Sequence, residues 1–550
     1  MTVRSRAFFA GTVGAVVAFG LAELVHGIYQ LVPSVFVALA QLIVKLTPGT
    51  LVTQGIELLG AADIPVLITC LVIGTVIVAG LLAFLAVRSP LLALIGVSVL
   101  AAIAIVATFS EPFVDPFFTV VTVVGALSTG VTVSALLLRA SALTDSQAAP
   151  AGSEAHGASA MAGVRSREAH SSGGIAVDRR NFLLLGGGAA AAGLAAVGVG
   201  RVLAGGGGGE ASAPKSLSLS KSPGGGTSGG TTSVQNKTLP PPPAAASIDV
   251  EGMPPLITSA KDFYLIDTAL SSPRIDVDKW SLKIKGSGIS TPLEMSYKDL
   301  QSMSTRESDV TLSCVSNKVG GGLISNGRWT GVMLSDVLKE AGVDPNKLNK
   351  SSEQLVGRSA DGWTGGFKTK LAFDGREALV AFGLNDSELP VKHGFPVRLV
   401  IPGLYGYVSA TKWLTEIELT DWDFDAYWIQ RTWSKEGPIK TQSRIDTVRG
   451  KEKLSAGTVP VGGVAWAPHR GISKVEVSTD DGGTWNEARL AEQLDEDTWR
   501  QYVYEWDAKA GDHTLKVRAT DGDGQTQTDK KSKPHPSGAT GYHTLNVSVA

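Results

Sequence analysis

Thr311-Leu312-Ser313-Cys314-Val315-Ser316-Asn317-Lys318-Val319-Gly320-Gly321-Gly322 is the stretch from which the fold and chemistry of this chain are read. From Asp309 to Cys314 apolar and polar side chains alternate, the period of a strand with one buried face. The strand ends at a thiol and opens into a glycine-rich loop, where backbone can approach a ligand closely. Upstream, Trp280 to Lys285 alternates as another strand and Tyr297 to Ser302 reads as a short helix. Downstream, Met333 to Ala341 is an amphipathic helix closed by Gly342. Strands and helices follow one another without a βαβ rhythm, so residues 248–436 are expected to form an α+β domain.

Cys314 and Cys70 are the two cysteines among 550 residues. Two thiols exclude a disulfide framework, a Cys₄ zinc site and an iron–sulfur cluster. At its strand end Cys314 is either a small buried hydrophobe or a single soft ligand, and a thiolate suits a soft or high-valent metal better than calcium or magnesium. Lys and Arg number 49 against 51 Asp and Glu, a net charge of −2, without the basic footprint of a nucleic-acid binder.

Only ten charged residues fall in the first 140 positions. About four apolar stretches there have membrane-spanning length: Ala7 to Tyr29, Ile64 to Val87, Leu91 to Phe109 and Phe117 to Leu138. Leu31 to Leu46, with Pro33 and Lys45, reads as interfacial or re-entrant. Arg4, Arg6, Arg88 and Arg139 alternate along the chain with Asp63, Glu111 and Asp115, which predicts a cytoplasmic N terminus and a cytoplasmic residue 139. Glu23 and His26 share one face of the first span, a position where polar groups are functional candidates or snorkel. Residues 141–177 read as a cytoplasmic linker. Asp178-Arg179-Arg180-Asn181-Phe182-Leu183 and the apolar run to residue 204 resemble an internal twin-arginine export signal, or else form an ordinary fifth span. Either reading sends the remainder across the membrane. Residues 205–247, rich in Gly, Ser and Pro, read as a tether.

Residues 437–550 carry short alternating segments at regular spacing, with Asp480-Asp481-Gly482-Gly483 as a hairpin turn. They predict an all-β, immunoglobulin-like sandwich. Asp521-Gly522-Asp523-Gly524 lacks the later acidic ligand of a calcium loop and reads as a turn. His469, His513, His535 and His543 have no metal-ligand spacing.

Four segments together resemble the sulfite oxidase family of molybdopterin enzymes. They are 311–317; Ser325-Asn326-Gly327-Arg328-Trp329-Thr330-Gly331; His393-Gly394-Phe395-Pro396-Val397-Arg398-Leu399-Val400-Ile401-Pro402-Gly403; and Lys412-Trp413-Leu414. The resemblance implies a molybdenum–molybdopterin cofactor with Cys314 as the metal ligand. It implies cofactor binding by Asn317, Asn326, Arg328, His393, Arg398 and Lys412, with Asn326 and Arg328 in the loop after the cysteine. A phosphate and a polar bicycle need cations and donors, and His393, Arg398 and Lys412 are expected to supply three. Asp361 to Phe367 resembles the segment lining the substrate mouth, or is a glycine-rich hairpin. Trp363 and Lys318 are the implied catalytic residues beside Cys314. Ile266 stands where sulfite oxidases carry an anion-binding arginine, Trp363 replaces a tyrosine and Lys318 an arginine. The haem-binding cytochrome domain of vertebrate relatives is expected to be absent.

The expected protein is thus multi-domain: an α-helical transmembrane bundle, an α+β molybdopterin domain and an all-β sandwich, membrane-anchored with its site on the extracytoplasmic side. Oxygen-atom transfer on an oxyanion such as sulfite, or on a sulfoxide or other oxo-substrate, is the implied chemistry. A non-enzymatic surface receptor is the alternative from another class. The chain has no Cys-x-x-Cys-His, and His26 is the only histidine within its spans. A separate cytochrome, redox protein or membrane quinone is therefore the expected electron partner, and a homodimer through the C-terminal domain is implied.

Overall fold

Apolar runs of twenty or more residues satisfy their own backbone hydrogen bonds as helices. Among its described residues the computed structural model has five helices long and apolar enough to cross a membrane. It describes residues 3–29, 31–49, 51–52, 54–55, 63–111, 114–147, 179–206, 236–269, 272–450 and 453–550, which fall into two compact units, one within residues 1–210 and one within 211–550, with 48–53 belonging to the second.

The helical unit contains α1 (Val3–Ile28), α2 (Val35–Leu46), α3 (Asp63–Ala86), α4 (Pro90–Phe109), α5 (Pro116–Gln147) and α6 (Arg179–Gly206). Helix α1 packs against α6 through glycines seven apart. A Cβ on Gly20 would stand 2.3 Å from the Gly193 carbonyl oxygen, and one on Gly27 would stand 2.3 Å from that of Gly200. Backbone-to-backbone approach of this kind is how apolar helices associate. The buried Glu23 carboxylate accepts the Ser34 hydroxyl at 2.6 Å, and His26 Nδ1 bonds the Val32 carbonyl at 2.8 Å. Both polar side chains pin the turn between α1 and α2. Helix α5 runs past the expected end of its span, because residues 140–147 contain no Gly or Pro to stop it. The first seven residues of the expected linker, 141–147, are therefore helical. Residues 148–178 and 207–235 of the expected linker and tether lie outside the described residues.

After residue 206 the described residues resume at Asn236, within the expected tether. Lys237 bridges Arg306 in parallel register, giving its N–H to Thr305 and accepting that of Glu307, each at 2.9 Å. Ala246 is buried in the core. The end of the tether is thus part of the folded unit, a correction to the boundary at 247. A free main chain beside an exposed strand edge gains hydrogen bonds by adding to it.

The α+β part has two sheets. One has the order β2 (Leu293–Ser296), β1 (Ser281–Gly286), β10 (Leu414–Thr420), β5 (Gln354–Ser359), β6 (Thr364–Lys368). Its β1–β10 pair is parallel and the others antiparallel. The other has the order β3 (Thr305–Ser313), β4 (Ile324–Met333), β7 (Leu379–Leu384), β8 (Ser387–Glu388), with β9 (Arg398–Val400) on β7. Helices α7 (Tyr297–Ser302) and α8 (Leu334–Glu340) pack on one large core, including Leu282, Leu300, Leu338 and Leu355. Ser296 caps α7, its hydroxyl taking the N–H of Asp299.

Strand β3 differs from the alternating pattern read in it, being buried along nearly its whole length. Its second face is covered by the C-terminal part: Thr311 gives its N–H to the Asp497 carbonyl at 3.0 Å, and the Thr311 hydroxyl takes the N–H of Trp499 at 2.7 Å. That C-terminal part is all-β. One sheet has the order β11 (Gln442–Ile445), β13 (Gly457–Trp466), β17 (Arg500–Ala508), β16 (Arg489–Leu490). The other has the order β12 (Lys453–Leu454), β19 (His543–Val549), β18 (Gly511–Asp521), β14 (Ile472–Ser478), β15 (Asn486–Glu487). Val461 and Tyr502 of the first sheet meet Val475, Leu515 and Val517 of the second in a common core.

Candidate active site

Cys314 is the first residue after β3. Its N–H bonds the Leu323 carbonyl at 3.0 Å, closing the loop onto the start of β4. The thiol is buried and lines a cleft. Burial pushes its pKa up, partly offset by bonding from Ser316; coordination to a cation would deprotonate it outright. The opposite wall is the hairpin between β5 and β6. There Asp361 accepts the Trp363 N–H at 3.0 Å, Gly362 takes φ +83°, and Trp363 turns back over Gly365. The segment is therefore both a glycine-rich hairpin and a wall of the cleft.

Arg398, on β9, also lines the cleft. Its side chain is buried, gives Nη1 to the His393 carbonyl at 3.0 Å, lies over the Trp329 ring and forms no ion pair among the described residues. Burial pulls its pKa down to about 10, so it stays charged at neutral pH. Lys412 is different. Its ammonium meets Asp267 at 2.7 Å, with both side chains less than 15% exposed, and burial pulls it down to about 8. Burial pushes Asp267 upward, against the pull of Lys412. His393 is buried and bonds the Ala260 carbonyl through Nε2 at 2.9 Å. Burial, Arg398 and Lys412 lower its pKa to about 4. The three expected cations therefore reduce to one unpaired guanidinium, one lysine already met by a carboxylate, and one neutral ring whose carbonyl orients the guanidinium.

Asn317 keeps its place beside the thiol. Its N–H bonds the Cys314 carbonyl at 3.0 Å and its Oδ1 accepts from Leu323, while its Nδ2 is buried without a partner. Neither Asn317 nor His393 is among the residues lining the cleft, and three other expected residues are not either. Lys318 is exposed and outside the lining. Asn326 and Arg328 sit within β4 rather than in a loop. Asn326 bonds Thr311 and the Leu256 carbonyl, and Arg328 makes two bonds to Asp309, at 2.9 and 2.8 Å. Their partners come from strand pairing, which puts Asp309 opposite Arg328 and Thr311 opposite Asn326. Asp309→Ala should consequently destabilise the fold by roughly 3–5 kcal/mol, the cost of stranding a buried charge. Thermal unfolding measures it.

The cleft also holds residues the sequence reading passed over: Tyr264, Asp267, Tyr407, Trp428 and Trp433. Asp267 stands next to Ile266 in a segment quoted for another reason. Trp428 and Trp433 belong to an aromatic-dense stretch, from Trp422 to Trp433, that was a readable signal.

A soft thiol and an unpaired buried cation in one cleft suit a group that carries a soft metal and a phosphate. Residues 269–428 match the family model described as the oxidoreductase molybdopterin binding domain, and residues 436–532 match the Mo-co oxidoreductase dimerisation domain. Mitochondrial sulfite oxidase of Rattus norvegicus is 29% identical over 307 residues, covering 48% of this chain and 55% of that protein. Residues 269–532 thus carry the two domains of a molybdopterin oxidoreductase similar to the sulfite oxidases. The uncharacterized oxidoreductase YuiH of Bacillus subtilis (strain 168) is 28% identical over 188 residues, covering 34% of this chain and 87% of that protein. The solved structure of the sulfane dehydrogenase SoxCD from Paracoccus pantotrophus is 23% identical, covers 54% of this chain and 82% of that one, and has a TM-score of 0.47. The chain spans about half the length of the mammalian sulfite oxidases it matches. The family's cofactor is molybdenum–molybdopterin. Of the residues lining this cleft, the Cys314 thiol and the unpaired Arg398 guanidinium are the two whose chemistry fits it.

Proposed function

We propose that the protein is a membrane-anchored molybdopterin oxidoreductase that catalyses two-electron oxygen-atom transfer on the extracytoplasmic side. The observation that carries this reading is the buried Cys314 thiol opening onto a cleft shared with the unpaired Arg398 guanidinium. When bound, the cofactor supplies the two-electron change and the oxygen transfer; the chain supplies placement and electrostatics. Cys314 would hold the metal and Arg398 the phosphate. His393 would hold Arg398 in place through its carbonyl. Trp363, Trp428 and Trp433 narrow the mouth and keep water from the thiol. The two electrons pass to or from a separate cytochrome, redox protein or quinone, and the C-terminal β part would pair two copies. Molybdenum near one per purified chain supports the reading; a folded, metal-free chain, isolated from a host that makes the cofactor, overturns it in favour of a receptor.

One observation favours a neutral oxo-substrate, such as a sulfoxide, over an oxyanion. With Lys412 met by Asp267, with Ile266 on the lining, and with Arg398 given to the phosphate, the cleft keeps no spare cation for an anionic substrate. Asp267→Asn should release Lys412 and raise kcat/KM for sulfite by about tenfold, the value of one new charge-assisted contact, while leaving a sulfoxide within about threefold. Steady-state kinetics with both substrates measures the ratio. An unchanged ratio would exclude the pair as the determinant.

The topology follows from the arginine pattern together with Arg179-Arg180 at the start of α6. Reporter fusions after Arg139 should be cytoplasmic and after Gly230 external. Changing both Arg179 and Arg180 to Lys should abolish export of the second unit if the signal is a twin-arginine one, and normal export would identify an ordinary fifth span.

A further inference from the structure

Gly320, six residues after the thiol, has φ +73°, and a Cβ there would stand 2.2 Å from Cδ2 of His543. The ring of His543, on β19, therefore presses directly on the loop that follows Cys314. The next carbonyl in that loop, Gly321, accepts from Nη1 of Arg444, on β11, at 2.8 Å. Both side chains are themselves held. Arg444 gives Nε to Asp446 at 2.7 Å. His543 Nδ1 accepts the N–H of Ile445 at 3.0 Å, which leaves its proton on Nε2. A third tie reaches the strand leading to the thiol, where Asp497 and Trp499 bond Thr311. All three come from the C-terminal β part and land between Thr311 and Gly321. Inside the loop, the Gly321 N–H bonds the Lys318 carbonyl at 2.8 Å, so a pull on Gly321 is transmitted towards Asn317 and the thiol.

We propose that Arg444 and His543 are positioning residues for Cys314: the C-terminal β part, besides any role in pairing copies, clamps the 316–322 loop and thereby fixes the thiol in the cleft and Asn317 beside it. A glycine run is the least self-supporting loop a chain can build, because glycine loses the most conformational freedom on ordering. The clamp comes from a rigid β-sandwich edge instead. The consequence depends on the reading of Cys314 as the functional thiol; the clamp itself does not.

The test uses the full chain in a Cys70→Ser background, so that Cys314 is its single thiol, purified in detergent without cofactor. Alkylation by N-ethylmaleimide reads the thiol directly. Arg444→Ala removes a charged donor and should raise the Cys314 alkylation rate about tenfold, with Arg444→Lys returning it towards wild type. Gly320→Ala pushes the loop off His543 from the other side and should give a similar rise, which keeps the test open should Arg444→Ala fold poorly. Leu515→Ala lies in the core of the same β part, where its strand partner is Leu545 and not His543; it should lower the unfolding midpoint without changing alkylation. Wild-type rates in both Arg444→Ala and Gly320→Ala, or equal acceleration by Leu515→Ala, would overturn the proposal. A wild-type chain that binds no molybdenum yet shows these rates would sink the enzymatic reading and leave the clamp standing.

Discussion

Cys314→Ser should abolish turnover and molybdenum retention while leaving the fold intact. The thiolate is a soft donor and the serine hydroxyl, with its far higher pKa, coordinates poorly. The position tolerates the exchange sterically, because the side chain is small and its neighbours Leu323 and Asn317 are held by main-chain and amide bonds rather than by the sulfur. A loss of at least about 10³ in kcat is expected, the scale on which removal of a central catalytic group acts. Metal analysis, activity and an unfolding curve on the same preparation check it. A Ser variant that keeps molybdenum and turns over would end the assignment of Cys314 as the ligand.

Arg398→Gln should weaken cofactor binding by roughly 30-fold or more, the cost of about 2 kcal/mol or above for removing a buried charge from its partner. Arg398 carries this weight because it is buried, is oriented by the His393 carbonyl and has no carboxylate of its own. Lys412 is the natural control. Its charge is met by Asp267, so exchanging the two together, Lys412→Met with Asp267→Leu, removes a balanced pair and should cost the cofactor much less. Changing Lys412 alone would strand Asp267 and confuse a local penalty with a lost contact. Molybdenum and pterin content after dialysis separates the cases. Equal loss in the single Arg398 variant and the double variant would show that the phosphate does not rely on Arg398.

Cys314, the strand before it and the cleft's arginine were legible because they depend on local features: a period of two ending at a thiol, a glycine loop, and compact motifs such as His393 to Gly403. The apolar spans were legible for the same reason, since a helix in lipid is decided by its own composition. Helix ends were less so, and α5 continued where no breaker stood in its way. Asn326 and Arg328 were misplaced because a motif names neighbours along the chain, whereas antiparallel register chose Thr311 and Asp309 as their partners. His393 and Lys412 carried the right side chains, but their charge was not theirs to decide. Burial and neighbouring cations keep the one neutral, and Asp267, 145 residues away in sequence, meets the other.

Chemistry that resides in one residue type, and structure that resides in one contiguous period, were determined by the sequence of this protein alone. The tertiary structure decided everything that needs two distant segments to meet. Tyr264, Trp363, Trp428 and Trp433 gather into one cleft, β3 is buried on both faces, and His543 comes to rest on Gly320. The physical reason is that desolvation and pairing energies depend on what lies within a few ångströms, and sequence distance carries almost no information about that.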